Sequence, residues 1–146
     1  MIRLPRARHD RHPTADRRGA AAVEMALVLP VFVTVTLGMI ELGRGIMVAQ
    51  LMTNAAREAA RTAIIDGSTD ASVANVAKSF LQTAAKVNPS DVSVTITNAS
   101  GGNVASAQPR DLITVNVSLP YSKVSWLPPK YLAGKSLSAT SAMRHE

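Results

Sequence analysis

The chain has 146 residues, with 16 lysines and arginines against 10 acidic residues, three histidines and no cysteine. That length holds one small domain once a membrane segment is set aside, and the missing cysteine excludes disulfides, thiol catalysis, thiolate metal sites and a lipid anchor on a cysteine. Of the net charge of +6, +4 comes from six arginines and two aspartates in residues 1–18, ahead of an apolar run. That is the pattern of a cytoplasmic membrane flank; the flank has no Phe, Tyr or Trp for a base to stack on, so nucleic acid is not expected as a partner.

Residues 1–19 read as a basic leader peptide. Pro5 and Pro13 and the lack of apolar periodicity predict an irregular chain over 1–18. Residues 20–41 read as a transmembrane helix: Glu24 is the only charge before Glu41, and about 20 residues rising ~1.5 Å each cross a hydrocarbon core of about 30 Å. Residues 37–42 offer a poor small-x-small cleavage site, so the helix is expected to continue. Pro30 should kink it, with Thr34 and Thr36 placed to satisfy the freed carbonyls. Gly38, Gly43 and Gly45 mark a flexible or closely packed stretch near the outer interface. A carboxylate inside such a helix costs on the order of 2.5 to 3.5 kcal/mol at the centre and less near the interface. Glu24 therefore calls for a role: snorkelling to the headgroups beside Arg18, pairing with a cation of another subunit, or being read by a processing enzyme.

Residues 42–66 continue the helix outside the membrane. Leu42, Ile46, Ala49, Met52, Thr53, Ala56, Ala60, Ala63 and Ile64 give a narrow small-residue stripe at three- and four-residue steps. Glu58 and Arg61 stand where an intrahelical pair can form, and Asp66-Gly67 ends the helix with a left-handed cap. Residues 67–146 read as a small α+β domain. A second helix runs from an N-cap at Thr69 or Asp70 to Lys86, with Val73, Val76, Ala77, Phe80, Leu81 and Ala84 on one face. Val92, Val94 and Ile96 alternate with polar residues as a strand. Ile113, Val115, Val117 and Leu119 form a second, and Leu137, Ala139, Ser141 and Met143 a weaker third. Tyr121 to Gly134, with Trp126 and Pro128-Pro129, reads as a long connection.

Chemistry-bearing constellations are scarce. His9 and His12 sit three apart but among the leader's arginines, and His145 stands alone near the other end. No Gly-x-Ser-x-Gly elbow or phosphate-cradling glycine loop occurs. Asp66, Asp70, Asp91 and Asp111 fall at element ends, where caps and turns use them. No enzyme, no catalytic residue, no metal site and no cofactor is expected.

Arg17-Arg18-Gly19-Ala20-Ala21-Ala22-Val23-Glu24, followed by an apolar helix containing Pro30, resembles the class III signal of type IV pilin-like proteins. With Asn54-Ala55-Ala56-Arg57-Glu58-Ala59-Ala60-Arg61-Thr62-Ala63 further on, the stretch from Arg17 to Ala63 resembles the TadE family of minor pseudopilins in tight-adherence (Flp) pilus assembly. Met25 stands where related signals often carry an aromatic residue. The resemblance implies that a prepilin peptidase cuts between Gly19 and Ala20. It also implies that Glu24, then the fifth residue, is used in recognition or assembly, and that Arg17 and Arg18 form the basic membrane flank. It implies a single-pass protein of the bacterial inner membrane, N-terminus cytoplasmic and C-terminal domain outside, whose partners are that membrane, the peptidase, other pilin or pseudopilin subunits and the tight-adherence machinery. The alternatives are an uncleaved signal-anchored binding module of the envelope, and a pseudopilin of a type II secretion-like system.

Overall fold

The computed structural model describes residues 15–145, with side chains from Gly19 onward. His9 and His12 lie outside the described residues. Helix α1 spans Ala15–Ala63. It begins inside the segment expected to be irregular, because Ala15, Arg17 and Arg18 are good helix formers that extend a helix already nucleated downstream, and elongation is far easier than nucleation. The chain divides into two compact units, the first ending at Leu37 and the second beginning at Gly38.

In the first unit every large apolar side chain from Val23 to Leu37 is exposed. The helix is long and apolar enough to cross a membrane, and such a surface belongs in lipid or against other helices. Pro30 frees the carbonyl of Ala26, but the threonines do not answer it as expected. Thr34 Oγ donates to the Pro30 carbonyl at 2.7 Å and Thr36 Oγ to that of Phe32 at 2.8 Å, each turning back one helical turn along its own strand of the ladder.

The second unit holds the rest of α1, helix α2 (Asp70–Ala85) and strands β1 (Ser93–Asn98), β2 (Leu112–Pro120) and β3 (Ser136–Arg144). The fold is α+β, a long apolar helix and a second helix with a three-stranded antiparallel sheet in the order β1-β2-β3. Helix α1 stops at Ala63, and Gly67 takes the left-handed conformation (φ 82°) in the turn that follows. Thr69 is the N-cap of α2. Its hydroxyl accepts from Ser72 N–H and the Ser72 hydroxyl accepts from Thr69 N–H, a reciprocal cap that fixes the helix start. Asp70 reaches out of that first turn and accepts from Val104 N–H at 2.8 Å, tying α2 to the β1–β2 connection. The other end of that connection is held by Asp111, whose carboxylate accepts from the Ser100 hydroxyl and from Gln108 N–H. These bonds hold its carboxyl below the ordinary range.

Strand β2 is central and alternates strictly, with Ile113, Val115, Val117 and Leu119 fully buried. Opposite Val115 and Val117 stand Ile96 and Val94 on one side and Ser141 and Ala139 on the other. The third strand, weakest in the sequence, is nine residues long and pairs along its whole length: small Ala139 and Ser141 suit positions beneath the crowded centre of the core, where apolar bulk is not needed. The buried face of α1 joins Val73, Ala77 and Leu81 of α2 and the inner face of the sheet in one hydrophobic cluster.

The α1 stripe is correct from Met52 onward but rotated before it. Leu42 and Ile46, expected inward, are exposed, whereas Gly38, Glu41, Gly45 and Val48 are buried. What covers that face is the connection from Tyr121, and glycines let it approach closely. Among the described residues Lys123 and Asp91 form an ion pair (3.0 Å), and His145 Nε2 lies 3.5 Å from Asp66 Oδ1; Glu58 and Arg61 remain exposed and unpaired with each other.

Candidate functional site

Two places stand out, one on each unit. On the first, Gly19, Ala20 and Glu24 are all exposed on α1. Nothing lies within 4 Å of where a Gly19 side chain would begin. Ala20 and Glu24, four apart, share one helix face, and among the described residues Glu24 meets no hydrogen-bond or charge partner. Arg17 and Arg18 belong to α1, but their side chains lie outside what is described.

The second place was not anticipated. Glu41, the charge that closes the apolar run, is only 7% exposed. Its carboxylate accepts from three consecutive backbone N–H groups: Lys130 at 3.2 Å, Tyr131 at 3.0 Å and Leu132 at 2.6 Å. Successive N–H groups pointing into one concavity form an anion-binding nest, here filled by the protein's own side chain. The 121–134 loop is shaped for this. Its base is closed by Tyr121 N–H donating to Lys135 O at 2.9 Å, and Gly134 takes φ 70° in the turn from Leu132 to Lys135. Tyr121 is buried, and its hydroxyl donates to the backbone carbonyl of Glu41 at 2.7 Å. Burial pushes the phenol up, with the neighbouring Glu41 charge adding to it, so it remains a neutral donor.

One turn along, Arg44 works outward. Its guanidinium donates to Val124 O at 3.1 Å and to Ala85 O at 3.2 Å, and lies 4.8 Å from the Trp126 ring centre. Helix α2 has no basic residue in its own last turn, so Arg44 supplies from α1 the positive charge that a helix C-terminus favours, while the Trp126 ring adds a cation–π contact.

The glycines on either side of Glu41 make room for the loop. A side chain at Gly38 would meet the Tyr131 ring at 3.1 Å, and one at Gly45 would meet Leu132 Cδ1 at 3.0 Å; Gly43 faces open space. Gly43→Ala is therefore expected to stabilise the second unit by about 1 kcal/mol through helix propensity alone. At Gly38 and Gly45 crowding should cancel that gain. Thermal unfolding of the three variants in the same detergent checks this, and an equal rise at all three positions would mean the loop does not press on the helix.

Residues 19–61 match the family model described as TadE-like protein. Over these residues of its long helix the chain is similar to TadE-like proteins. The resemblance read from the sequence is thereby shown for that segment, and the family suggests involvement in tight-adherence (Flp) pilus assembly. Neither the curated proteins nor the solved structures contain a match. The TadE-like segment includes Gly19, Glu24, Gly38, Glu41, Arg44 and Gly45 and ends before α2. The loop that receives Glu41 therefore lies outside it.

Sequence reasoning missed Glu41 although a signal was present. A lone acid ends the apolar run, with glycines three residues before and four after, all on one helical face. Its donors are main-chain N–H groups some 90 residues away, which no side-chain pattern announces.

Proposed function

We propose that this chain is a minor pseudopilin of tight-adherence (Flp) pilus assembly, matured by a prepilin peptidase that cuts between Gly19 and Ala20. The observation that carries the reading is the TadE-like match, which begins at Gly19 and runs along the helix with Glu24 five places in. Its role is structural: α1 anchors the chain in the bacterial inner membrane, N-terminus cytoplasmic, and packs beside the helices of other pilin-like subunits. The apolar surface of the first unit, exposed on all sides, supports both tasks.

Cleavage needs the Gly19–Ala20 bond in an extended form, so the N-terminal turns of α1 around Gly19 must unwind. Glycine lowers that cost by about 1 kcal/mol relative to alanine, and its surroundings are open. The cut creates a cationic amino group on Ala20 in a low-dielectric region. Glu24, which meets no partner among the described residues, then pairs with the amino group of a neighbouring subunit, an interaction that sets register more than strength because desolvation offsets much of the attraction.

The test is the intact mass and N-terminal sequence of the protein from native membranes. An N-terminus at Ala20 is expected, Gly19→Leu should retain the leader, and Glu24→Ala should insert normally yet impair piliation. A retained leader in the unaltered protein would overturn the maturation step and favour the signal-anchored binding module. Normal piliation with Glu24→Ala would remove the assembly role of that carboxylate.

A further inference from the structure

The 121–134 loop turns main-chain N–H groups toward Glu41 and leaves several large apolar side chains facing outward. Trp126 is 73% exposed, Tyr131 49% and Leu127 39%, although each belongs to a loop moored by Glu41 and Arg44. Trp126 and Leu127 line one small hollow with Ile40, Glu41 and Arg44, and Tyr131 lies against Gly38. The loop thus wraps α1 at residues 38–44. Beside it Arg44, Lys86 and Lys123 border a second hollow of about 370 Å³, with Trp126 as part of its wall. Lys130 is exposed on the loop itself.

The level at which this happens matters. About 20 helical residues from Ala20 cover the ~30 Å of a hydrocarbon core and end near Ile40. A tryptophan, a tyrosine and several cations gathered at the end of a span is the composition of a membrane–water interface, where amphipathic rings sit among headgroups and basic groups meet phosphates. In water the same exposed rings would be a cost.

We propose that the 121–134 loop is a membrane-surface collar: Trp126 and Leu127 sit at the headgroup–acyl boundary of the outer leaflet, with the exposed Lys86 and Lys130 facing lipid phosphates, while Lys123 stays paired with Asp91 and Arg44 with its carbonyls and the Trp126 ring. The collar fixes how far α1 sinks into the bilayer. This rests on the reading that α1 crosses a membrane, and the experiment separates the two.

Trp126 is the only tryptophan, so the fluorescence of the unaltered full chain reports its surroundings. The protein is reconstituted in phospholipid vesicles whose acyl chains are brominated either close to the headgroup or near the chain terminus. Strong quenching of Trp126 by the shallow bromines, weak quenching by the deep ones and poor access to aqueous iodide are expected. In the double variant Trp126→Phe with Phe32→Trp the order should reverse, since position 32 lies mid-span. Reversal in that variant while Trp126 is quenched by iodide and by neither lipid overturns the collar and leaves the span intact. Quenching of neither tryptophan by either lipid overturns both.

Discussion

Glu41→Ala is expected to release the 121–134 loop while leaving the rest of the second unit folded. Three N–H groups lose a charged acceptor at once, and a fully buried tyrosine keeps its bond only to a main-chain carbonyl whose neighbourhood has loosened. Amide hydrogen exchange at Lys130, Tyr131 and Leu132 should quicken by about tenfold to a hundredfold, the range set by hydrogen bonds to a charged group. Exchange in β2, whose ladder bonds are made elsewhere, should change little. Glu41→Gln keeps one carbonyl oxygen and should fall between the two. Unchanged exchange at the three amides in Glu41→Ala would show that the loop is held by its apolar contacts instead.

The largest loss of global stability is expected from the core of the second unit. Leu81 is fully buried in the cluster shared by α1, α2 and the sheet, and the helices contribute to that cluster largely alanine: Ala55, Ala56, Ala59, Ala60 and Ala77. Alanines have no side-chain freedom with which to fill a void, so Leu81→Ala should cost about 2 to 5 kcal/mol, toward the upper end. That is a large share of the 5 to 15 kcal/mol typical of a domain. Leu112→Ala, at an exposed position at the start of β2, should cost no more than about 0.5 kcal/mol. Urea unfolding of the full chain in micelles distinguishes them, and equal midpoints would mean that the cluster does not carry the stability.

Local pattern made most of this architecture legible. The strict alternation of Ile113, Val115, Val117 and Leu119, the cap at Thr69 and the 3.6-residue period of α2 each act within a few residues, and each element formed where its period placed it. The TadE-like stretch was legible for the same reason: residues 19–61 lie on one helix, at fixed spacings. What escaped was set by long-range packing. Leu42 and Ile46 look like the better core residues because they are apolar, but a loop from the far end of the chain takes the face with the glycines. Depth of approach, not hydrophobicity, decides which side of α1 is covered there. The third strand reads weakly because its centre is built from Ala139 and Ser141, and its strength comes from pairing with β2 along nine residues.

The mooring of the loop is made almost wholly by main-chain atoms. Backbone N–H groups hold Glu41, and Arg44 binds carbonyl oxygens. An attachment of that kind is blind to the side chains it carries: only a proline at 130, 131 or 132 would remove a donor outright. The outward residues of the loop can therefore change under selection without unfastening it from the helix. One TadE-like helix could in this way carry collars suited to membranes, or to neighbours, of quite different composition.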